Sequence, residues 1–338
     1  MSLRHPTVAI VGATGAVGGE LIGCLERRRF PLKRLRLFAS GRSAGRTLSF
    51  RGEGIAVEEL NEDSFPGVDL ALFSAGSAVS RRFSPIAVRQ GAVVVDNSSA
   101  FRIEPEVPLV VPEVNPGALL RHTGIIANPN CVAIVAVVAL WPLHRHNRIR
   151  RVIGATYQAA SGAGAAAMEE LRASTAACLG GAAYHHKVLA HPYAFNLFSH
   201  DTRVDPLSGS NEEEIKVMRE LRKIMDEPEL RIGVTCVRVP VLRAHSIALT
   251  VEFARPIDAE EAREVLAAAP GVRIVDDAAH NRFPMPIEAS GQDDILVGRI
   301  RGDASDPSGR SLALFVAGDQ LLKGAALNAV QIAEQLVR

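Results

Sequence analysis

Aromatic side chains are scarce, with 12 Phe, 3 Tyr and 1 Trp making up 5% of 338 residues. A core with so few rings has to be built from Ala, Val, Leu and Ile, which suits helices packed on a parallel sheet. Cysteine is scarce too. Cys24, Cys131, Cys178 and Cys236 contain no CxxC pair. That excludes a disulfide framework or a zinc cluster and points to a reducing, cytoplasmic compartment. Neither sign of charge dominates: 38 Lys+Arg against 37 Asp+Glu leaves +1. A dedicated nucleic-acid binder would carry a strong basic excess, so none is expected, although a local basic pocket remains compatible. The longest apolar run, Cys131 to Trp141, falls short of the ~20 residues that span a bilayer, so no membrane association is expected. No charged region followed by a long apolar stretch opens the chain, and no secretory signal is expected.

What is present is an ordinary globular composition, 47% hydrophobic and 22% charged. At roughly 150 residues per domain the length suggests two domains. Thr7 to Val11 reads as a buried strand, followed by GATGAVGG over Gly12 to Gly19 and a helical pattern over Glu20 to Arg29. Leu35–Phe38, Val68–Phe73 and Ala92–Val95 read as further strands. Strands alternating with helices indicate a doubly wound parallel sheet. Near Ile125 the texture changes. Asn128-Pro129-Asn130 precedes the apolar run from Cys131, and such residues start helices well, which puts Cys131 at a helix N-terminus. Arg151–Gln158, Val234–Val241 and Ile247–Phe253 read as strands of a second sheet, Glu212–Met225 as an amphipathic helix, and Gln320–Val337 as a final helix.

Gly12, Gly15 and Gly18 lie between the first strand and its helix. Glycines there allow a tight turn and close approach to a pyrophosphate seated at the helix N-terminus. NAD sites usually end the second strand with an Asp or Glu for the ribose 2′-OH. Here the chain reads Phe38-Ala39-Ser40-Gly41-Arg42-Ser43. A guanidinium and two hydroxyls in that place suit a 2′-phosphate, so NADP is favoured over NAD.

Cys131 is the candidate nucleophile, because the thiolate is the reactive form and a helix N-terminus favours it. A thiolate beside a nicotinamide implies a thioester reaction: addition to an aldehyde, hydride departure, and phosphate attack, or the reverse. The alternative is a small buried thiol, the usual fate of free Cys. A base is needed, and His is the usual choice. His245 sits between two strand-like runs, with Arg238 on the first of them. His185, His186 and His191 cluster in a polar stretch with no Cys or carboxylate to complete a metal site, so they read as a solvated loop and no metal is expected. Glu213 and Lys216 have the spacing of a surface ion pair on a helix.

These residues, taken in order along nearly the whole chain, resemble the aspartate-β-semialdehyde dehydrogenase family. The resemblance rests on GATGAVG at Gly12–Gly18, SGRSAG at Ser40–Gly45, DNSSAFR at Asp96–Arg102 and VPEVN at Val111–Asn115. It continues with NPNC at Asn128–Cys131, YQAASGAG at Tyr157–Gly164 and NEEEIK at Asn211–Lys216. RVPVLRAHS at Arg238–Ser246 and GDQLLKGAALN at Gly318–Asn328 complete it.

The resemblance implies a Rossmann-type dinucleotide-binding domain over residues 1–127, with a C-terminal helix, 319–338, packing back on it. An α+β catalytic and dimerisation domain with a mixed sheet, of glyceraldehyde-3-phosphate-dehydrogenase-like type, would cover 128–318. Cys131 would form the acyl-thioester, His245 would be the acid/base group, and Gln158 would orient the substrate. Arg238 would hold the substrate α-carboxylate by a bidentate pair and Glu213 its ammonium. Asn130 would lie against the substrate, and Arg102 and Lys216 would bind inorganic phosphate. Gly12, Thr14, Gly15, Ala16, Val17, Ser40, Arg42, Ser43, Gly76, Ser161 and Gly162 would contact NADP, and Gln320 or Asn328 would close over the nicotinamide. A homodimer or a dimer of dimers is implied. The rival readings are an N-acyl-γ-glutamyl-phosphate reductase, which shares the chemistry, and a non-catalytic NADP-binding paralogue. Two departures stand out. The family's Gly-His-Ser-Glu is Ala244-His245-Ser246-Ile247, leaving the base in less polar surroundings, and its double glycine after Ser74-Ala75 is Gly76-Ser77. A backbone that required glycine at 77 would be strained.

Overall fold

The computed structural model describes residues 4–337. The chain divides into two compact units, the first running to Asn130 and resuming at Ala325, the second being Cys131–Gly324. The first opens with β1 (Thr7–Val11), α1 (Ala16–Arg27), β2 (Arg34–Ala39), β3 (Thr47–Phe50) and β4 (Glu53–Glu59). β5 (Leu70–Phe73), α2 (Ser77–Arg89), β6 (Val93–Asp96) and β7 (Ile125–Ala127) follow. Among the described residues these strands make a seven-stranded sheet in the order β3-β4-β2-β1-β5-β6-β7. All its pairings are parallel except β3 with β4. The runs that read as continuously apolar are the central strands: β5 is buried throughout, as strands covered on both faces are. The chain leaves β1 for β2 on one side and reaches β5 on the other, so the switch point of a doubly wound sheet lies at the ends of β1 and β5.

Helix α1 starts at Ala16, earlier than the pattern from Glu20 predicts. Gly18 belongs to its first turn because that turn lies against the loop: a Cβ on Gly18 would stand 2.7 Å from Ala13 O and closer still to Gly12 O.

The second unit begins with α3 (Cys131–His146) and β8 (Ile149–Gln158), then α4 (Ala165–Leu179), β9 (Phe198–Ser199), α5 (Glu212–Met225) and β10 (Arg231–Arg238). It continues with β11 (His245–Phe253), α6 (Ala259–Ala267), β12 (Val272–Ile274), α7 (Pro286–Ala289), β13 (Ile295–Gly302) and β14 (Ser311–Gly318). The sheet is mixed, in the order β12-β13-β14-β11-β8-β10-β9, with β8 and β10 parallel and β11 antiparallel to both β8 and β14. Helix α3 is apolar around most of its circumference and correspondingly buried from Val132 to Leu140. β10 stops at Arg238, not Val241, because Val241 N turns back to Val239 O (2.7 Å) and the intervening Pro240 has no N–H for the ladder. β11 starts at His245 rather than at Ile247, since His245 already pairs with Gly318, and it is two-sided from Ser246, which pairs with Tyr157 and Ala317.

The C-terminal stretch is not one α-helix. A π-helical turn, Leu322–Ala326, precedes α8 (Leu327–Leu336). Re-entry into the first unit falls at Ala325 rather than 319 because Asp319 and Gln320 are bound into the second. Asp319 Oδ2 accepts from Arg243 Nε (2.7 Å) and Gly291 N (2.6 Å), and Gln320 Oε1 accepts from Ala244 N (2.9 Å). Helix α8 joins the first unit through Arg28–Glu334, Gln331–Glu113 and Asn328–Val110. The first division likewise falls after Asn130, not Ala127, because Asn128 is anchored in the first unit by Arg102 and Asn328. Among the described residues no helix is long and apolar enough to cross a membrane.

Candidate active site

In the first unit the Gly12–Val17 loop is tied to the end of β2, with Gly12 N and Ala13 N both donating to Phe38 O at 2.8 and 3.1 Å. Gly12 has φ +88°, and a Cβ there would collide with the Ser74 carbonyl, so only glycine fits. Gly15 is the N-cap of α1 and supplies no side-chain cap. The first turn of α1, from Ala16 and Val17, therefore presents backbone N–H groups, the arrangement that holds a pyrophosphate. Thr14 Oγ1 reaches Ser43 Oγ at 3.4 Å, linking the loop to the segment after β2, where Ser40 and Arg42 are exposed. A carboxylate does lie nearby, supplied through space by β4: a Cβ on Gly41 would stand 2.7 Å from Glu59 Oε1. The end of β2 showed no acid in sequence because Glu59 comes from the neighbouring strand. Gly76, φ +86°, caps α2, and Ser77 is its first helical residue. The left-handed position is thus 76, and serine at 77 is unstrained. Arg102 is buried, and its Nε and Nη2 donate to Asn128 O (2.9 Å) and Asn97 O (2.7 Å), both neutral carbonyls.

In the second unit, Gln158 and Arg238 are register partners at the ends of parallel strands β8 and β10. Both side chains are buried. Arg238 Nη1 donates to Ala159 O at 3.3 Å, and its Nε lies 3.6 Å from Asp201 Oδ1. Gln158 Oε1 accepts from Thr156 Oγ1 (3.1 Å), while its Nε2 donates to Glu213 Oε1 (3.2 Å). Gln158 thereby aims the Glu213 carboxylate.

The three consecutive glutamates of α5 divide their work. Glu212 is exposed and lies 3.9 Å from Lys216 Nζ, an i, i+4 pair on the helix surface. Glu213 turns into the site. Glu214 closes a capping box with Asn211 and accepts from Cys236 N at 3.0 Å, docking the helix on β10.

His245 is fully buried, and its Nδ1 accepts from Ala159 N at 3.0 Å. Burial first, then the charges of Arg238 and His200, hold its pKa well below the ordinary 6.5. Sequence reasoning missed His200, Asp201 and Thr202. They reach the site because Phe198–Ser199 forms the edge strand β9 on β10, and His200 N continues the ladder to Cys236 O at 2.9 Å. Thr202 Oγ1 accepts from Glu213 N at 3.3 Å. A two-residue strand is too short to leave a periodic signal. His185 and His191 are exposed, and among the described residues no group of three or more His, Cys, Asp or Glu is placed to hold a metal ion.

Cys131 is half-buried at the first residue of α3, with buried Asn130 directly before it. Gly324 of the π-turn passes so close that a Cβ there would lie 3.0 Å from Cys131 Cβ. The other thiols differ: Cys24 and Cys236 are buried, whereas Cys178 is exposed. Burial above all pushes the Cys236 thiol up to about 12, and Glu213, Glu214 and Cys131 add to the rise. Gly162 is packed so that a Cβ would stand 3.0–3.1 Å from the His245 ring and Arg238 Nη1. Ser161 and Gln320 are buried and bonded to each other, and Asn328 is buried with its Nδ2 on Val110 O (3.0 Å) and Asn128 Oδ1 (2.7 Å). The amides of Gln320 and Asn328 thus tie backbone segments within their own units.

The semialdehyde dehydrogenase NAD-binding domain family matches residues 7–122, and the semialdehyde dehydrogenase dimerisation domain family matches residues 140–323. The chain is 54% identical to an aspartate-semialdehyde dehydrogenase of Synechocystis over 98% of its length and 97% of that protein. It is 50% identical to the Prochlorococcus marinus protein of the same name, over 100% and 99% of the two chains. The crystal structure of aspartate semialdehyde dehydrogenase II from Vibrio cholerae complexed with ASA superposes with a TM-score of 0.96 at 42% identity, covering 99% of each chain. Both family domains, matched in order across nearly all of the sequence, show that the chain belongs to the aspartate-semialdehyde dehydrogenase family of oxidoreductases.

Proposed function

We propose that the protein reduces L-aspartyl 4-phosphate to L-aspartate 4-semialdehyde and inorganic phosphate, on the branch toward lysine, methionine and threonine, with NADPH as reductant and a thioester on Cys131 as intermediate. The observation that carries this reading is the pair of buried opposite charges, Arg238 and Glu213, held at fixed positions in one unit by Ala159 and Gln158. A free amino acid presents a carboxylate and an ammonium to such a pair. An N-acylated amine carries no charge for Glu213, which disfavours the acyl-glutamyl phosphate.

The residues of the first unit fit a dinucleotide: the Gly12 turn, the uncapped N-terminus of α1, and Ser40, Arg42 and Ser43 for a 2′-phosphate. When bound, NADPH supplies the hydride. Cys131 attacks the acyl phosphate carbon, and the phosphate leaves as the thioester forms. The N-terminus of α3 favours the thiolate. His245 acts as the acid/base group. Arg102 and Lys216 are each assigned to phosphate only as the cations that the family's motifs supply. A homodimer is supported by the apolar outer face of the mixed sheet, where Ile153 (46%) and Tyr157 (37%) are exposed and Tyr157 packs on the Phe315 ring.

The test is NADPH oxidation with aspartyl phosphate set against N-acyl-γ-glutamyl phosphate. Preference for the first is expected, and equal or better use of the second overturns the substrate. Cys131→Ala should abolish turnover while NADP binding persists; an active Cys131→Ala protein overturns the thioester.

A further inference from the structure

We propose that Thr156 is a positioning residue: its hydroxyl holds the Gln158 carboxamide in the orientation that aims the Glu213 carboxylate. Through that bond it sets the preference for a substrate with a free ammonium over the same chain without one. The proposal rests on the reading of Glu213 given above and deepens it.

Thr156 and Gln158 follow one another on the inward face of β8, after Val152 and Gly154, and both are buried. Thr156 stands among apolar side chains. Val132 and Ala136 of α3, Val217 and Leu221 of α5, and Ile247 of β11 border the same space. A hydroxyl in such surroundings is costly unless it is hydrogen-bonded, and valine has nearly the same shape without that cost. What the hydroxyl adds is a bond from Oγ1 to Gln158 Oε1 at 3.1 Å.

The direction of that bond follows from the other end of the amide. An ionised carboxylate only accepts, so the end of Gln158 that meets Glu213 Oε1 at 3.2 Å is Nε2. Oε1 is then turned to Thr156, and because a carbonyl oxygen only accepts, Thr156 is the donor. The paired strand agrees with this. Cys236 is the register partner of Thr156, and its thiol meets the same hydroxyl. Burial above all keeps that thiol protonated, so S–H has a hydrogen to offer Oγ1, and the hydroxyl hydrogen remains for Gln158. Three bonds thus run from Cys236 through Thr156 and Gln158 to Glu213, each donor pointing toward the carboxylate.

The backbone of Glu213 is fixed separately. Its N–H donates to Thr202 Oγ1, and the adjacent Glu214 caps α5 and docks it on Cys236 N. Removing the Thr156 hydroxyl therefore leaves the helix in place and acts on side chains. Gln158 Oε1 stays buried without its donor, which is unfavourable. The carboxamide turns away, and Glu213 loses the bond that aims it. Arg238 lies outside this chain of bonds, with Nη1 on Ala159 O, so the hold on a substrate carboxylate persists and the loss falls on the ammonium.

The test runs the full-length protein toward the acyl phosphate, with NADP and inorganic phosphate. The two aldehydes compared are L-aspartate 4-semialdehyde and succinate semialdehyde, the same chain without the ammonium. The parent should prefer the amino aldehyde in kcat/KM. Thr156→Val should reduce that preference about tenfold or more, the size of a hydrogen bond to a charged group, through a higher KM for L-aspartate 4-semialdehyde with kcat much less changed. Thr156→Ser, which keeps the hydroxyl, should hold the preference within about threefold. If the parent turns over the amino aldehyde alone, the rise in KM in Thr156→Val against its absence in Thr156→Ser decides. An undiminished preference in Thr156→Val, an equal fall in Thr156→Ser, or equal losses on both aldehydes overturns the proposal, the last two marking a packing role. If Thr156→Val does not fold, Thr156→Ala is set against Thr156→Ser, since those two differ by the hydroxyl. A parent that uses both aldehydes alike, or neither, overturns the reading of Glu213 itself and the proposal with it.

Discussion

Ala244 sits at φ +72°, fully buried, immediately before the histidine of the site. A residue with a Cβ enters that region at a cost of roughly 1–2 kcal/mol, and the bond from Ala244 N to Gln320 Oε1 holds it there. Ala244→Gly should therefore leave the urea midpoint nearly unchanged, since relief of strain offsets the lost buried methyl, about 0.8 kcal/mol, and the freer unfolded chain, about 0.4–1 kcal/mol; a loss of about 2 kcal/mol would show that the position is not strained. The thiols give a second expectation. Native protein treated with iodoacetamide should be modified at half-buried Cys131 and exposed Cys178, while Cys24 and Cys236 stay intact until denaturant is added. Rapid loss of Cys236 in the folded protein would contradict its burial. Single residues were legible in sequence where chemistry is rare: one cysteine after Asn-Pro-Asn, one arginine in an apolar strand. They were illegible where packing decides, as with Asp201 beside Arg238, which arrives from the bend after β9, or Glu59 beside Gly41, which arrives from the neighbouring strand β4.

At the scale of elements, two junctions place the chemistry. The π-turn Leu322–Ala326 crosses the start of α3 at Gly324, and π-turns are frequent at functional sites. A methyl at Gly324 would force Cys131 aside by a fraction of an ångström. Gly324→Ala should lower kcat by roughly 10²-fold, as misplacement of a reacting group does, with KM and the unfolding midpoint much less changed; an equal fall in stability would mark a general packing defect.

The second junction is Glu170 of α4. Burial raises its carboxyl, but Lys187 N (2.6 Å), Val188 N (2.9 Å) and Leu189 N (2.9 Å) together outweigh that and hold its pKa below the ordinary 4.5. The folded pKa is depressed, so this contribution is complete above 4.5 and disappears as pH falls through the folded value. Glu170→Gln should remove that acid-range dependence and cost about 1–3 kcal/mol, seen as faster amide exchange at 187–189; unchanged exchange would mean the carboxylate does not hold the segment. Regular elements such as β1, α5 and β8 were readable from periodicity. The 180–200 segment was not, because it is held by one carboxylate and a two-residue strand rather than by a repeating pattern.

For the whole molecule, the near-zero net charge conceals how charges are sorted. Arg238 and Glu213 are buried in one site, while ion pairs such as Arg82–Glu62 involve exposed side chains and contribute little each. Aromatic poverty has a counterpart in the mixed sheet. Its outer face carries one of the few ring pairs, Tyr157 with Phe315, beside exposed Ile153, and the strands around them alternate buried and open residues. A sheet face of this kind left in water is unusual for a monomer. A symmetric pairing would bring each copy's patch onto its mate's, and a charge placed at its centre would be buried without a partner. Ile153→Asp should therefore shift the protein from dimer to monomer in sedimentation velocity at micromolar concentration. The variant should still bind NADP, since the glycine turn and the Ser40–Ser43 segment belong to the other unit and Ser161, Gly162 and Gln320 are buried or off the sheet's outer face. An Ile153→Asp protein that still sediments as a dimer would exclude this face from the interface.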